Sequence, residues 1–404
     1  FNPEVRFTNT GNPNTVSIAF QQLQSGSDNF NHLGVSGDCG IATAIGGGGD
    51  YEFTLQHKAS YICFLPRNMN KELVPSNFQL MRIAITANKP IVGTYDFSDG
   101  SLVGKSPIAN GNSFAFLIPK HPNYPKLSTQ QDGDQSGCYF VIAPGTYNLS
   151  VNFWFEDPNT HEGISIPKEY PNLTCSEGKI VELTANLTLP VWGKYYMWDA
   201  QEQYWKGYEW TKHLPGNTGQ PTINLSSSPN FPKNNTDSRW YHEGGGSGRF
   251  DATQSCAGLP NANEMSWYCM YGDPRWDNDE LWTTMGHLYK GGMWFKKKSQ
   301  ISGFNANTAV DGTDWRTNEN TGNWSASNTP PSAADAGNYF YLPALGYNDS
   351  GQLNLIGNTG YYWLSSAGPW TGGTAYALYI YRGSIDVNAY ARRNVGYRVA
   401  PTFE

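Results

Sequence analysis

No two cysteines of this chain stand three residues apart, as in CxxC, and no two histidines stand four apart. The first absence removes zinc-ribbon and thioredoxin-type readings, and the second removes an HExxH-type metal site. No apolar run approaches the ~18 residues of a membrane-spanning helix. Charge is scarce: charged residues make up 15% and the net charge is −7, so there is no basic footprint for nucleic acid. Low charge combined with 14% aromatics also excludes a disordered chain. There is no GxSxG elbow and no Cys/His nucleophile signature. None of these patterns calls for a cofactor or a metal ion.

What is present suits strands and turns. The 404 residues allow about two to three domains, and 44 glycines with 25 prolines supply frequent chain reversals. Six cysteines, Cys39, Cys63, Cys138, Cys175, Cys256 and Cys269, are widely spaced. An even count fits an oxidising compartment, and burial as free thiols fits equally well. The chain begins at Phe1 rather than Met, which is expected of a mature or trimmed form.

Residues 1–189 read as a β-sandwich. In TYNLSVNFWFE, Tyr147, Leu149, Val151, Phe153 and Phe155 share one face. IVELTANLTL places Val181, Leu183, Ala185, Leu187 and Leu189 inward in the same way. Successive strand side chains point to opposite faces, so strict alternation marks a half-buried strand. RIAITANKPIVGTYDF and SFAFLIP add further strands. Residues 190–404 differ: 190–255 is an aromatic, loop-rich segment, expected to pack down through Tyr195, Trp198, Trp205 and Trp210. NANEMSWYCMYG is the one good helix candidate, with Asn261 or Asn263 as cap, Glu264 near the positive end and Gly272 at the stop.

Three stretches invite chemistry and are weighed against it. GSLVGKS at 100–106 is one residue short of a phosphate loop and reads as a hairpin turn. The lysines of KKKS at 296–299 read as guards of an edge strand. RWDNDELW holds Asp277, Asp279 and Glu280 between tryptophans, the pattern of acids beside an aromatic platform that a secreted carbohydrate-active enzyme would use. Carboxylates so close in sequence seldom flank a sugar ring, so a turn with solvated acids is the better reading.

The order RIAITANKPIVGTYDF, CYFVIAPGTYNLSVNFWFED, LTCSEGKIVELTANLTL resembles the fimbrillin family of Bacteroides-type pili (Mfa-like). The second half is similar to the major paralogous-domain family, itself related to C-type lectin-like folds. That likeness rests on NYFYLPALGY and on GNTGYYWLSS followed by RRNVGYRVAP. The resemblance implies a mainly β protein: a transthyretin- or Ig-like sandwich over 1–189, then an α+β C-type lectin-like domain over 190–404. It implies an exported, outer-membrane-associated fimbrial subunit at the cell surface, joined to other pilus subunits by β-strand donation. It further implies a tip adhesin with a glycan or protein ligand on another cell, or else a non-adhesive shaft or anchor pilin. The end at VAPTFE leaves no segment to donate, which fits a terminal position in the polymer. The EPN or QPD triplet of calcium-dependent lectins is missing, and WDND at 276–279 lies far upstream. The late cysteine pair of formylglycine-generating enzymes is missing too, so neither calcium nor copper chemistry carries over.

The ligand surface is expected on the C-terminal ribbon. In AYALYIYRGSIDVNAYARR, alternation turns Leu378, Ile380, Ile385 and Val387 inward. Tyr379, Tyr381, Asp386 and Asn388 then face outward. With Trp370, Tyr390, Arg392 and Arg393 they are expected to form an exposed aromatic–arginine surface, of the residue types enriched at binding hot spots. In GYYW, Gly360 is expected to free the backbone, while Tyr361, Tyr362 and Trp363 fill core.

Overall fold

A computed structural model describes residues 3–68, 79–119, 137–187, 191–208 and 226–399. Chain contacts divide the protein into two compact units, Phe1–Leu189 and Pro190–Glu404. The architecture is mainly β.

Eight strands build the centre of the first unit: β1 Gln21–Gln24, β2 Ser60–Asn68, β3 Gln79–Ala87, β4 Phe114–Pro119, β5 Cys138–Ile142, β6 Gly145–Glu156, β7 Gly163–Cys175 and β8 Ile180–Leu187. One sheet runs β7-β6-β3-β4-β1, and a second runs β5-β2-β8. All neighbours are antiparallel except β4 with β1 and β8 with β2. The inward row Tyr147, Leu149, Val151, Phe153 and Phe155 is buried together with Leu80, Ile83 and Ile85 of β3. It meets the other sheet edge-to-face, with Phe153 and Phe64 rings 5.9 Å apart. Leu183, Ala185 and Leu187 are buried, Val181 is half-buried, and Leu189 lies outside the described residues.

An unusual join closes this sandwich. Gln22 and Gln24 of β1 are fully buried, while Leu23 between them is exposed. The Gln22 amide accepts from Val141 N and donates to Val141 O, at 2.8 and 2.9 Å. Gln24 accepts from Tyr139 N and donates to Gly137 O, both at 2.8 Å. His32 Nε2 lies 2.8 Å from Tyr139 O. Side chains thus bond the outer edge of β5 as a neighbouring strand would, which satisfies backbone groups that would otherwise be costly to bury.

The second unit holds a six-stranded sheet. Its strands are β9 Tyr195–Tyr196, β12 Gly322–Ser325, β14 Thr359–Ala367, β15 Thr374–Tyr381, β16 Ser384–Arg392 and β17 Tyr397–Arg398. They lie in the order β9-β17-β14-β15-β16-β12. A second sheet joins β10 Arg275–Thr284, β11 His287–Lys296 and β13 Tyr339–Pro343, with β11 central. The helix spans Ala262–Tyr271 and packs against β14, β15 and β16. Asn261 is its cap, in a full capping box with Glu264, and Gly272 ends it. Asn263 serves elsewhere. It is buried, donates to Asp314 at 2.9 Å and accepts from Trp315 N at 2.9 Å.

The core of this unit is aromatic, and its polar tips are bonded to backbone. Tyr195 donates to Leu345 O at 2.5 Å, Trp198 to Leu364 O at 2.9 Å, and Trp363 to Tyr196 O at 2.7 Å. Tyr362 donates to Pro343 O at 2.5 Å and Tyr376 to Trp315 O at 2.8 Å. Tyr195, Trp198 and Trp205 anchor the loop-rich segment as expected, and Trp210 lies outside the described residues.

Several expectations are settled locally. All six cysteines are buried free thiols. Cys63 faces Tyr139 and Cys138 faces Phe64 in the β2–β5 register, so the two thiols point to opposite faces and cannot be bridged. The 100–106 stretch lies in the turn between the antiparallel strands Val92–Asp96 and Ala109–Asn112, where Lys105 is held by Asp99 at 2.5 Å and Asp96 at 3.2 Å. The edge-guard reading of 296–299 is corrected: Lys296 ends the central strand β11, and Lys298 pairs with Glu264 of the helix at 3.1 Å. Gly360 is also corrected. Its φ is not positive; its need is space, because a Cβ there would lie 2.7 Å from Ile380. The VAPTFE end from residue 400 onward lies outside the described residues.

Candidate functional site

The inner face of the ribbon is as alternation requires. Leu378, Ile380, Ile385 and Val387 are fully buried in one core cluster. The opposite face of the same sheet divides along its length. One end is covered: Trp198, Ala252, Cys256 and Leu259 pack there on Trp363, Ala375, Ala377 and Ala391. The other end carries tyrosines that remain partly open.

Strand pairing builds this open end. Tyr361 of β14 stands opposite Tyr379 of β15, which stands opposite Asp386 of β16, which stands opposite Asn323 of β12. Directly opposed residues share a face, so the four make one row across the sheet. Tyr381 opens the next row, opposite Ser384. Tyr397 of β17 and Tyr347, from the hairpin Tyr347–Asp349/Gln352–Asn354, close the cluster. Ring centroids lie 4.7 Å apart for Tyr361–Tyr379, 4.8 Å for Tyr347–Tyr361 and 5.2 Å for Tyr361–Tyr397. Tyr347, Asp349, Tyr361, Tyr379, Tyr390, Arg392 and Tyr397 line a concavity of about 280 Å³. Arg392 pairs with Asp349 at 3.1 Å on its rim.

Burial pushes the phenols of Tyr347, Tyr379, Tyr381 and Tyr397 upward, so each stays a neutral hydroxyl able to donate and accept. Tyr379 and Tyr397 already share a bond at 3.3 Å. Burial raises the Asp386 carboxyl, while a bond from Asn323 Nδ2 opposes the shift. Asn388 turns its Oδ1 to the backbone N–H of Tyr390 at 2.7 Å.

The structure therefore gathers Tyr379, Tyr390 and Arg392 in one concavity, with Tyr381 and Asp386 beside it. Trp370 is 65% exposed, but it sits in the β14–β15 turn, whose Pro369 O accepts from Gly248 N at 2.9 Å. That turn adjoins Thr374, which pairs with Arg392, but Trp370 itself does not line the concavity.

Arg393 requires a correction. It is 0% exposed, stacked 4.3 Å over Trp198 and 5.4 Å from Phe250. It donates to the carbonyls of Thr374, His242 and Gly244 at 2.8, 3.0 and 2.9 Å. Its role is to fasten the loop-rich segment to the ribbon. Arg393 stands in the turn just past β16, where strand alternation no longer says which way a side chain points. Tyr361 departs from the core assignment given to GYYW: Tyr362 and Trp363 are buried, whereas Tyr361 is half-open. Tyr347 and Asp349 were missed because a hairpin strand outside the ribbon delivers them, and Tyr397 because β17 does.

The acids of RWDNDELW form a bulge. Asp277 Oδ1 accepts from Asp279 N at 2.9 Å and Glu280 N at 3.2 Å, and its Oδ2 accepts from Trp294 Nε1 at 3.0 Å. Among the described residues, no three His, Cys, Asp or Glu side chains gather as a metal site. No described helix is long and apolar enough to cross a membrane.

No family model matches the chain, and no curated protein matches it. Three solved structures show partial likeness, all from proteins for which a cell adhesion role has been suggested. The Bacteroides ovatus protein is 12% identical over 43% of this chain, with a TM-score of 0.27. The Bacteroides fragilis protein is 11% identical over 33%, and the Bacteroides uniformis protein 11% identical over 43%, both with a TM-score of 0.21. This chain covers 56%, 42% and 61% of theirs, less than two thirds in each case.

Proposed function

We propose that the chain is a cell-surface adhesin of fimbrillin type, and that the tyrosine concavity of its second unit holds a ligand on a host or microbial surface. One observation carries the reading: of a single sheet face, one end is sealed by a loop-rich segment while the other keeps a cluster of tyrosines half-open. Contiguous exposed aromatic surface is costly unless it is used. Tyrosine supplies a large rigid contact area with a polar tip, and it concentrates with arginine at binding hot spots. The pilus setting, with neighbouring subunits joined by strand donation and a place at the tip, rests on the family resemblance of the sequence motifs.

The test is attachment. Purified protein carrying Tyr379→Ala, or Tyr390→Ala with Arg392→Ala, is compared with the unaltered chain on host cells, bacterial partners and a glycan array. Folding is checked by thermal unfolding. Loss of attachment with folding retained supports the reading. Full attachment by folded variants rejects the tyrosine face as the site, and failure of the unaltered chain to attach leaves a shaft or anchor role.

A further inference from the structure

We propose that the second unit carries a separate site for a neutral sugar ring, in a cavity of about 300 Å³ beside Trp240 and Tyr241. It shares no lining residue with the tyrosine concavity. Its volume falls at the small end of ligand pockets, about 300–1,000 Å³, which suits one ring rather than an extended chain.

Its walls are fixed from behind. Asp199 is fully buried with a positive φ of 49°, and its carboxylate accepts from the N–H groups of Thr253, Gln254 and Cys256 at 2.7, 2.8 and 3.0 Å. The same carboxylate bonds His242 Nδ1 at 2.8 Å, which leaves Nε2 as the ring nitrogen available to a ligand. Trp240 Nε1 donates to Glu243 at 2.7 Å, and the Trp240 and Tyr241 rings lie 4.6 Å apart. The indole is thereby held in place as an apolar platform. Around it, the side-chain amides of Gln201, Asn235 and Gln254 line the cavity and have no partner among the described residues. An apolar platform ringed by uncommitted amide donors and acceptors matches a pyranose, which presents C–H groups on one face and hydroxyls at its edge.

Charge selects within that class. Asp237 is matched by Arg239, whose guanidinium donates to it at 2.7 and 3.0 Å and also binds Asn230 O at 2.8 Å. Its charge is thereby balanced by Asp237. Glu243 is the remaining unmatched charge on the lining, so the site repels uronic and sialic acids.

The experiment titrates the full chain with methyl glycosides of neutral hexoses and N-acetylhexosamines, using glucuronic acid as the anionic control. It is read by indole NMR shifts. At least one neutral glycoside should give a saturable shift of the Trp240 signal, and glucuronic acid should give none. Trp240→Ala should abolish binding. Gln201→Ala with Asn235→Ala, both at exposed positions, should weaken it at least about fivefold while leaving the unfolding temperature in place. The proposal is overturned if no neutral glycoside shifts the signal, if the double variant binds undiminished, or if glucuronic acid binds as tightly.

Discussion

The two units solve the same problem, covering a sheet, with different chemistry. The first buries alternating aliphatic and phenyl side chains, and its strands are long enough for a period of two to be unambiguous. The second buries tryptophan and tyrosine, whose polar tips reach carbonyls of other strands and of the connecting loops. Apolar burial is indifferent to direction, whereas each N–H or O–H must find one acceptor. The aromatic unit can therefore fix long irregular segments in place, and both candidate ligand sites lie in that unit. The contrast is measurable, since Trp154 alone of the 14 tryptophans lies in the first 189 residues. Indole fluorescence consequently reports almost entirely on the second unit.

The largest effect expected is at the fastening of the loop segment. Trp198→Ala should cost about 3–5 kcal/mol, as loss of a fully buried indole does. Arg393→Ala should cost about 3 kcal/mol or more, because it leaves three carbonyls without their donor. Urea unfolding followed by indole fluorescence checks both, and a change confined to far-UV circular dichroism would contradict the assignment to the second unit. Next comes a matched pair. Tyr362→Phe keeps the ring and removes one bond to Pro343, an expected loss of about 1–2 kcal/mol. Ile85→Val in the first unit removes one methyl group, about 0.5–1.5 kcal/mol. Only the tyrosine change should loosen a separate segment, the end of β13, read as faster hydrogen exchange near residue 343.

A pH effect should follow at smaller scale. The Arg316 guanidinium holds the Asp314 carboxyl at about 2, below its ordinary 3.8. A depressed carboxyl contributes stability that is complete above its unfolded value and lost as pH falls through its folded one. Asp314→Asn should therefore flatten the loss of stability between about pH 4 and pH 2. Last, Tyr390→Ala and Arg392→Ala should each change stability by no more than about 0.5 kcal/mol. A large loss at either position would mean that the open face is covered core.

Legibility followed the same division. The row Tyr147 to Phe155 and the inward ribbon residues Leu378 to Val387 could be read because apolar alternation and burial coincide. The helix at Ala262–Tyr271 could be read because Asn261, Glu264 and Gly272 punctuate it. Arg393 could not be placed by residue type, since the same side chain serves an exposed hot spot or a buried clamp. Tyr361 and Tyr397 escaped because their company depends on which strands become neighbours. QQLQ at 21–24 inverts the usual code, with amides inside and leucine outside, and nothing in its alternation announces that.

That inversion has a consequence for proton exchange with solvent. The outward amides at a sheet boundary ordinarily trade their hydrogens with water at close to the rate of a frayed end. Tyr139 and Val141 sit on such a boundary, yet their N–H groups end on buried glutamine oxygens. Deuterium can reach them only when β1 and β5 part, so a margin of the sheet keeps time with its interior.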